Sequence, residues 1–345
     1  MATTFKTLNS ANDVTSTRTL LHEAIPLTGT IASGTYTDEN IKTYSHGMFE
    51  SVYDYPYLSS SANHIFDITN GYSSTSPCSS STSVQNSKKL NVYSQMAQVL
   101  VGYDASGNIQ DFDADGDIAA GGAKINEALF VNFSRLLTKD EIKKGSFSLS
   151  TTTAGTPAAG NTTLTLQDHN AATSYKVNSP AGEYGILYSG SAAEATASNG
   201  VGLVYYQAGV AVLTGSVFAA SQMGTGGVQI AQGFQAISTG STIGVMANCF
   251  RNRLTNISFN NTVELNSTIY FCRASHNEFN YSNNPTYLSE SQIRVKNSTT
   301  DNPVSYVTTV GLYSSDNELL AVAKLSEPLK KDPNTEVTLR VRLDF

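Results

Sequence analysis

The sequence predicts a mainly β protein: an antiparallel, sandwich-like scaffold with short helices and a small inserted β-rich domain. Three observations carry that expectation. The last residues, Glu336 to Phe345, alternate apolar and polar side chains strictly enough for a terminal strand, whose backbone groups then need a neighbouring strand. Upstream, Tyr306 to Leu325 is apolar on both sides of the polar stretch Ser314-Ser315-Asp316-Asn317, the pattern of a β-hairpin. Between residues 151 and 240, apolar runs such as EYGILYSG and GVGLVYY are divided roughly every 8 to 15 residues by Gly, Ser, Ala or Asn, as in a compact antiparallel domain.

Taken in order, Asn9, Ser10, Asp13 and Thr15 precede TRTLLHEAI, so a short helix capped near Asp13 or Thr15 is expected before Pro26 interrupts. Tyr44, Phe49, Tyr53, Tyr55 and Tyr57 then crowd one irregular segment, which suits a contact surface and equally the edge of a core. Ser59 to Ser87 reads as a loop over a small strand or turn at NHIFDI. From Lys88 to Val101, Leu90, Tyr93, Met96, Ala97, Leu100 and Val101 fall three and four apart, one face of an amphipathic helix that packs on a sheet. A strand over Glu127 to Phe133, a polar helical turn from Thr138 ended by Gly145, and a strand over Ser146 to Thr151 follow.

In the middle stretch, GLVYY and VAVLTGSV flank Gln207-Ala208-Gly209 as a hairpin, expected to carry a second small sheet outward. Ile243 to Cys249 reads as a short apolar strand, and the pattern continues through Leu254, Ile257, Phe259 and Val263 to Thr268–Cys272. The expected organisation is an N-terminal extension with loops (1–87), a first part of the β scaffold (88–150), the insertion (151–240) and a second part of the scaffold (241–345).

Only 14% of the 345 residues are charged, against roughly 25% in an average globular chain. A surface of Ser, Thr, Asn and Gly suits a protein packed against neighbours. The formal charge of -7 and the lack of Lys/Arg clusters argue against a nucleic-acid partner. Cys78, Cys249 and Cys272 are spaced for neither a disulfide nor a zinc framework and read as separate thiols, the last two buried in strands. No stretch is long and apolar enough to span a bilayer, and the N-terminus lacks the apolar core of a signal peptide, so synthesis in a cytoplasm is expected.

The sharpest local motif is Asp111-Phe112-Asp113-Ala114-Asp115-Gly116-Asp117. Carboxylates at the first, third and fifth positions before a glycine resemble a helix–loop–helix calcium loop, where oxygens wrap a hard cation and glycine permits the bend. The twelfth position is Gly122 where that pattern has Glu, so an aspartate-rich hairpin loop competes with a Ca²⁺ site over Asp111, Asp113, Asp115 and Asp117. A bound Ca²⁺ there would order a loop and perform no catalysis. The five histidines form no HExxH or HxH pair, and His64 near Asp67 has no activated nucleophile beside it. Gly224-Thr225-Gly226-Gly227 lacks the lysine of a phosphate loop. No catalytic residue is nominated, and no enzyme is expected.

Two segments suit contacts between subunits. Ser275 to Tyr287 sets Phe279, Tyr281 and Tyr287 among hydrogen-bonding groups, able to lock one subunit to another or two parts of one subunit together. In the terminal strand, Arg340 and Arg342 take one face while Val341 and Leu343 take the other, which places the arginines near a subunit contact.

The segments KKLNVYSQMAQVLVGYDASGNIQDFD, EALFVNFSRLLTKDEIKKGSFSLS and CRASHNEFNYSNNPTYL, completed by YVTTVGLYSSDNELLAVAKLSEPLKK and TLRVRLDF, resemble virion structural proteins of large contractile-tailed bacteriophages. The resemblance covers roughly residues 40–150 and 241–345. It implies a non-enzymatic baseplate or tail-completion protein, made in the host cytoplasm and carried in the virion tail with other copies of itself and other phage structural proteins. A neck or capsid-associated accessory protein is the structural alternative. A module binding a host-surface glycan is the alternative of another class; aromatic residues of the middle stretch suit it, although core packing explains Tyr205 and Tyr206 with less assumption. The lack of long heptads and fibre repeats argues against an elongated fibre.

Overall fold

The computed structural model describes residues 5–26, 40–80, 82–118, 121–122, 124–152, 163–192, 199–218, 234–251, 253–280, 288–289, 292–293 and 304–345. The fold is mainly β with antiparallel sheets and few short helices, as the sequence predicts. The chain forms two compact units, Leu21–Val263 and Met1–Leu20 with Glu264–Phe345.

The first elements are β1 (Val14–Pro26), β2 (Ile41–Thr43), β3 (Glu50–Tyr53), β4 (His64–Tyr72) and α1 (Val84–Leu100). The helix foreseen over TRTLLHEAI is instead part of strand β1. Thr15, Thr17 and Thr19 recur at every second position there, and β-branched residues at that period fit a pleated strand better than a helix. The small strand or turn expected at NHIFDI is a strand of nine residues, β4. Next come β5 (Glu127–Phe133), α2 (Arg135–Thr138), β6 (Glu141–Ile142), β7 (Ser148–Thr152), β8 (Thr163–Gln167), α3 (Ala171–Ser174), β9 (Tyr184–Ser189), β10 (Gly200–Tyr205) and β11 (Val210–Thr214). They are followed by α4 (Phe234–Gly240), α5 (Ile243–Arg251) and β12 (Leu254–Ala274). Where a strand was expected at Ile243–Cys249 the structure has α5. Read on to Phe250, the buried residues Ile243, Met246, Ala247 and Phe250 are three and four apart, a helical face that the shorter apolar run conceals. Cys249 is therefore buried on a helix; all three cysteines are free thiols, with Cys272 partly buried in β12.

In the larger unit the strand order is β7-β8-β9-β10-β11-β5-β4-β3-β2, and the first part of β12 pairs with β7. The strands of the 151–240 stretch, β8 to β11, thus lie in the same sheet, between β7 and β5. The β10–β11 hairpin, expected to lead a second sheet outward, pairs with β5 through Val210–Thr214. Its turn carries Gly209 at φ +68°, a left-handed conformation that glycine takes without penalty.

At the centre of this sheet both faces are covered, which is why β5 and β11 read as near-continuous apolar runs. Leu129, Val131 and Phe133 of β5 enter one core cluster with Phe66, Leu149, Met246 and Phe259, while Ala128 and Phe130 enter another with Val92, Tyr93, Phe112 and Val212. Phe133 meets Phe147 and Phe259 at ring-centroid distances of 5.8 and 5.2 Å, so the β7–β12 end of the sheet turns over its centre in a sandwich-like way. Each fully buried side chain of this size contributes about 1.5–3 kcal/mol. Helix α1 rests on β4 at Gly71, where a Cβ would stand 2.6 Å from the Lys89 carbonyl oxygen.

The smaller unit contains β13 (Leu288–Ser289), β14 (Gln292–Ile293), β15 (Ser305–Tyr313), β16 (Leu319–Lys331) and β17 (Val337–Asp344). The terminal strand pairs with β12 in eight register positions, Ser267–Ala274 against Val337–Asp344. Its alternation is as expected: Val341 is buried, Arg340 and Arg342 are exposed. The β15–β16 hairpin turns at Ser314–Glu318 with Asn317 at φ +64°.

Lys89 of α1 is fully buried and donates hydrogen bonds to the carbonyl oxygens of Ser238 and Ser241, tying the helix to the end of α4. Burial pushes its ammonium group down to about 8 from 10.5, the nearby Cys78 thiol pulling the other way. Between those values the unfolded chain binds more protons than the folded one, so stability from this group rises as pH climbs from about 8 toward 10.5. Lys89→Met is expected to remove that rise, read as the change with pH in the difference between urea midpoints of variant and wild type.

Candidate functional site

The aspartate-rich loop is positioned by an aromatic anchor. Phe112 is buried against Tyr93, Phe130 and Tyr205 at centroid distances of 5.4, 5.6 and 6.4 Å. The Tyr93 hydroxyl accepts from the Phe112 amide at 3.2 Å and donates to the Ile125 carbonyl at 2.7 Å. With the Ile125 amide bonded to the Phe112 carbonyl and Asp113 paired to Lys124, residues 112–125 close as a hairpin. Inside it the Asp113 carboxylate accepts from the Asp115 amide at 3.0 Å, and the Asp115 carboxylate from the Asp117 amide at 3.2 Å. Gly116, at φ +75°, makes the bend, and its carbonyl accepts from the Tyr184 hydroxyl at 3.0 Å and the Asn178 amide at 3.2 Å.

Asp113, Asp115 and Asp117 each bring a carboxylate oxygen within 4.8 Å of the others, and Asp111 stands outside this set. Burial raises the carboxyl groups of Asp111 and Asp113 above their ordinary range, with Lys124 opposing the rise in both. The departure from the calcium-loop pattern at Gly122 has a spatial counterpart. A Cβ at Gly122 would sit 2.8 Å from an Asp115 carboxylate oxygen, so the backbone closes where that pattern extends a glutamate. Lys124 forms an ion pair with the buried Asp113 carboxylate. The donor set is the kind a hard cation takes, but one of its carboxylates already holds a cation of the chain's own.

His64 Nε2 lies 2.8 Å from Asp67 Oδ1, so the pair noted in the sequence is formed. The same oxygen accepts the Ser51 hydroxyl at 2.5 Å. The serine donates to the carboxylate and not to the imidazole, an order that lacks the hydroxyl–imidazole bond of an activated nucleophile.

Sequence reasoning missed the polar centre at Asp168. Its buried carboxylate accepts from the Tyr206 hydroxyl at 2.9 Å and from the amides of Gly145 and Phe147 at 2.8 and 2.9 Å. Burial lifts it to about 6 while those donors hold it down. Lys144 lies beside it, 2.5 Å from Glu183 and 5.8 Å from the Tyr206 ring centre. Tyr205 and Tyr206 are both buried, in line with the core packing that explains them with less assumption, and are closed to a ligand outside.

Of the expected contact residues, Phe279, Arg340 and Arg342 are among the described residues. Phe279 is exposed, at φ +53°, and its carbonyl accepts the Ser305 hydroxyl. Tyr281 and Tyr287 lie outside the described residues. Arg342 is bonded locally, to Asp344 at 2.7 Å and Ser267 at 3.1 Å, and no hydrogen bond, ion pair or ring contact among the described residues joins Phe279 to either arginine. The larger apolar surface is on β15–β16, where Tyr306, Tyr313, Leu319, Leu320, Val322 and Leu329 are exposed. These strands form a sheet by themselves. Their base is fastened by the buried Lys331, which donates to the Asn280 side chain at 2.7 Å and the Asp332 carbonyl at 2.9 Å.

No family model, curated protein or solved structure matches the chain.

If the three carboxylates are a cation site, Lys124→Ala removes the competing charge and tightens Ca²⁺ binding on the order of tenfold, a difference of about 1.4 kcal/mol. Calorimetric titration of chelator-treated wild type and variant reads it; identical isotherms leave a hairpin held by Lys124.

Proposed function

We propose that the protein is a non-enzymatic structural component of a bacteriophage particle, a baseplate or tail-completion protein of a contractile tail, which assembles with its own copies and other phage structural proteins. The observation that carries this reading is the β15–β16 arm. A two-stranded ribbon has no second layer of its own and is marginal in water, yet this one presents large apolar side chains on a fastened base. Leu320 is 68% exposed and Val322 53% exposed, and covering each of them is worth about 1.5–3 kcal/mol before the costs of association.

Among the described residues, β15 and β16 pair only with each other, which leaves an edge of each for strand addition. Pro328 in β16 removes one donor from that strand, a device that restricts which register a partner strand can take. The phage resemblance supplies the setting.

Deleting Glu336–Phe345 would strip β12 of the partner it meets in eight register positions, so the terminal strand acts as scaffold and truncation is a poor probe of assembly. Substitutions at the arm separate the two effects. Light scattering after size exclusion is expected to show self-association of wild type that rises with concentration, and a monomer for Leu320→Lys/Val322→Lys with an unchanged melting temperature. A wild type that stays monomeric over a wide concentration range defeats self-assembly through the arm.

A further inference from the structure

In the larger unit the outer side of β3 and β4 combines open tyrosine rings with a prearranged carboxylate. β4 carries a bulge: Val52 pairs with Phe66 and Tyr53 with His64, which leaves Ile65 as the extra residue. Ile65 and Phe66 both enter the core, and His64 is returned to the side that carries Asp67. Bulges re-aim side chains in this way near sites. There the Tyr53 ring stands 5.5 Å from the His64 ring, edge to face, and 6.4 Å from the Tyr57 ring.

The loop between these strands is stapled. Asp54 accepts the Asn63 backbone amide at 2.6 Å and the Asn63 side-chain amide at 2.8 Å, and the Asp54 amide returns a bond to the Asn63 carbonyl at 3.1 Å. Tyr55 and Tyr57, on this loop, are 56% and 36% exposed. Ser51 and His64 both engage Oδ1 of Asp67, and Oδ2 makes no hydrogen bond among the described residues. Among the described residues, β2 is the last strand at this end of the sheet.

We propose that this face, with Tyr53, Tyr57, His64 and Asp67 at its centre and Tyr55 at its rim, binds a neutral pyranose unit of a polysaccharide. A pyranose offers the two surfaces the site lacks. Its flat C–H side covers a tyrosine ring, and two adjacent hydroxyls donate, one to a carboxylate oxygen of Asp67 and one to His64 Nδ1, the ring nitrogen not used on Asp67. The rings are rigid and lose little freedom on binding. Sugar hydroxyls replace the water on Asp67 bond for bond, whereas an aliphatic protein surface would strip that water without replacement. The site and the β15–β16 arm lie in different units, so either can fail without the other.

The test uses the full chain and the methyl glycosides of glucose, galactose, mannose, N-acetylglucosamine and N-acetylgalactosamine. With the tyrosine protons saturated, NMR is expected to show transfer to the C–H protons of one ring side of at least one glycoside. Tyr57→Ala and Asp67→Asn should each weaken that binding about tenfold or more, with Tyr57→Phe retaining it and Leu320→Lys leaving it untouched. No transfer to any of the five glycosides overturns the proposal. So does full affinity in Tyr57→Ala, a loop variant whose folding is checked by its melting temperature.

Discussion

The pairing of β5 with β4 on one edge and β11 on the other, with both of its faces buried, is the constraint from which the larger unit follows. Its odd-numbered residues Leu129, Val131 and Phe133 fill one core, and Ala128 and Phe130 the other, so a shift of register by one would exchange the two sets. Phe130 is also the floor on which Phe112 rests, and Phe112 sets where the aspartate loop begins. On its other edge β5 holds β4 from Phe66 to Tyr72, which fixes the bulge at Ile65 and with it the side on which His64 emerges.

A chain with so few charges nevertheless buries several, and two of them, Lys89 and Asp168, are bonded to backbone groups. Lys89 donates to two carbonyl oxygens near the end of α4, and Asp168 accepts two backbone amides from the turn that ends at Phe147. Both hold segments that are far apart in sequence. An apolar residue at either position would leave those backbone groups unpaired, at a cost of about 1–3 kcal/mol for each group. They therefore fix connections that hydrophobic burial, which has no direction, leaves free.

What was legible in the sequence follows from the range of the interaction concerned. Helix α1, the β10–β11 hairpin, the β15–β16 hairpin and the terminal strand were legible because period and turn chemistry are local signals. The segments β1 and α5 were misjudged for a local reason as well: the first hides a two-residue period of threonines behind TLLHEAI, and the second shows its helical spacing only when Phe250 is included. In the aspartate loop the carboxylates were visible by spacing, and so was the mismatch at Gly122; the Lys124 counter-charge was not, since ion pairing across a hairpin leaves no fixed period. The crowd of aromatic residues at 44–57 was visible, but the His64 ring that meets Tyr53 was not, since a one-residue bulge sets where it emerges.

The two exposed surfaces differ in a way that assigns them different occupants. On the β15–β16 arm Leu319, Leu320, Val322 and Leu329 offer area without direction, and area without direction is rewarded by another apolar protein surface. On β3–β4 the rings alternate with a carboxylate and an imidazole already oriented by Ser51 and by each other. Orientation is worth most to a ligand whose own hydrogen-bonding groups are fixed, and a pyranose ring fixes its hydroxyls at set angles while leaving one side bare. Leu320 and Val322, 68% and 53% exposed, give a sugar hydroxyl no partner. A face built around a half-buried carboxylate is poorly suited to self-association, because a second copy would bring the same negative charge toward its own symmetry mate.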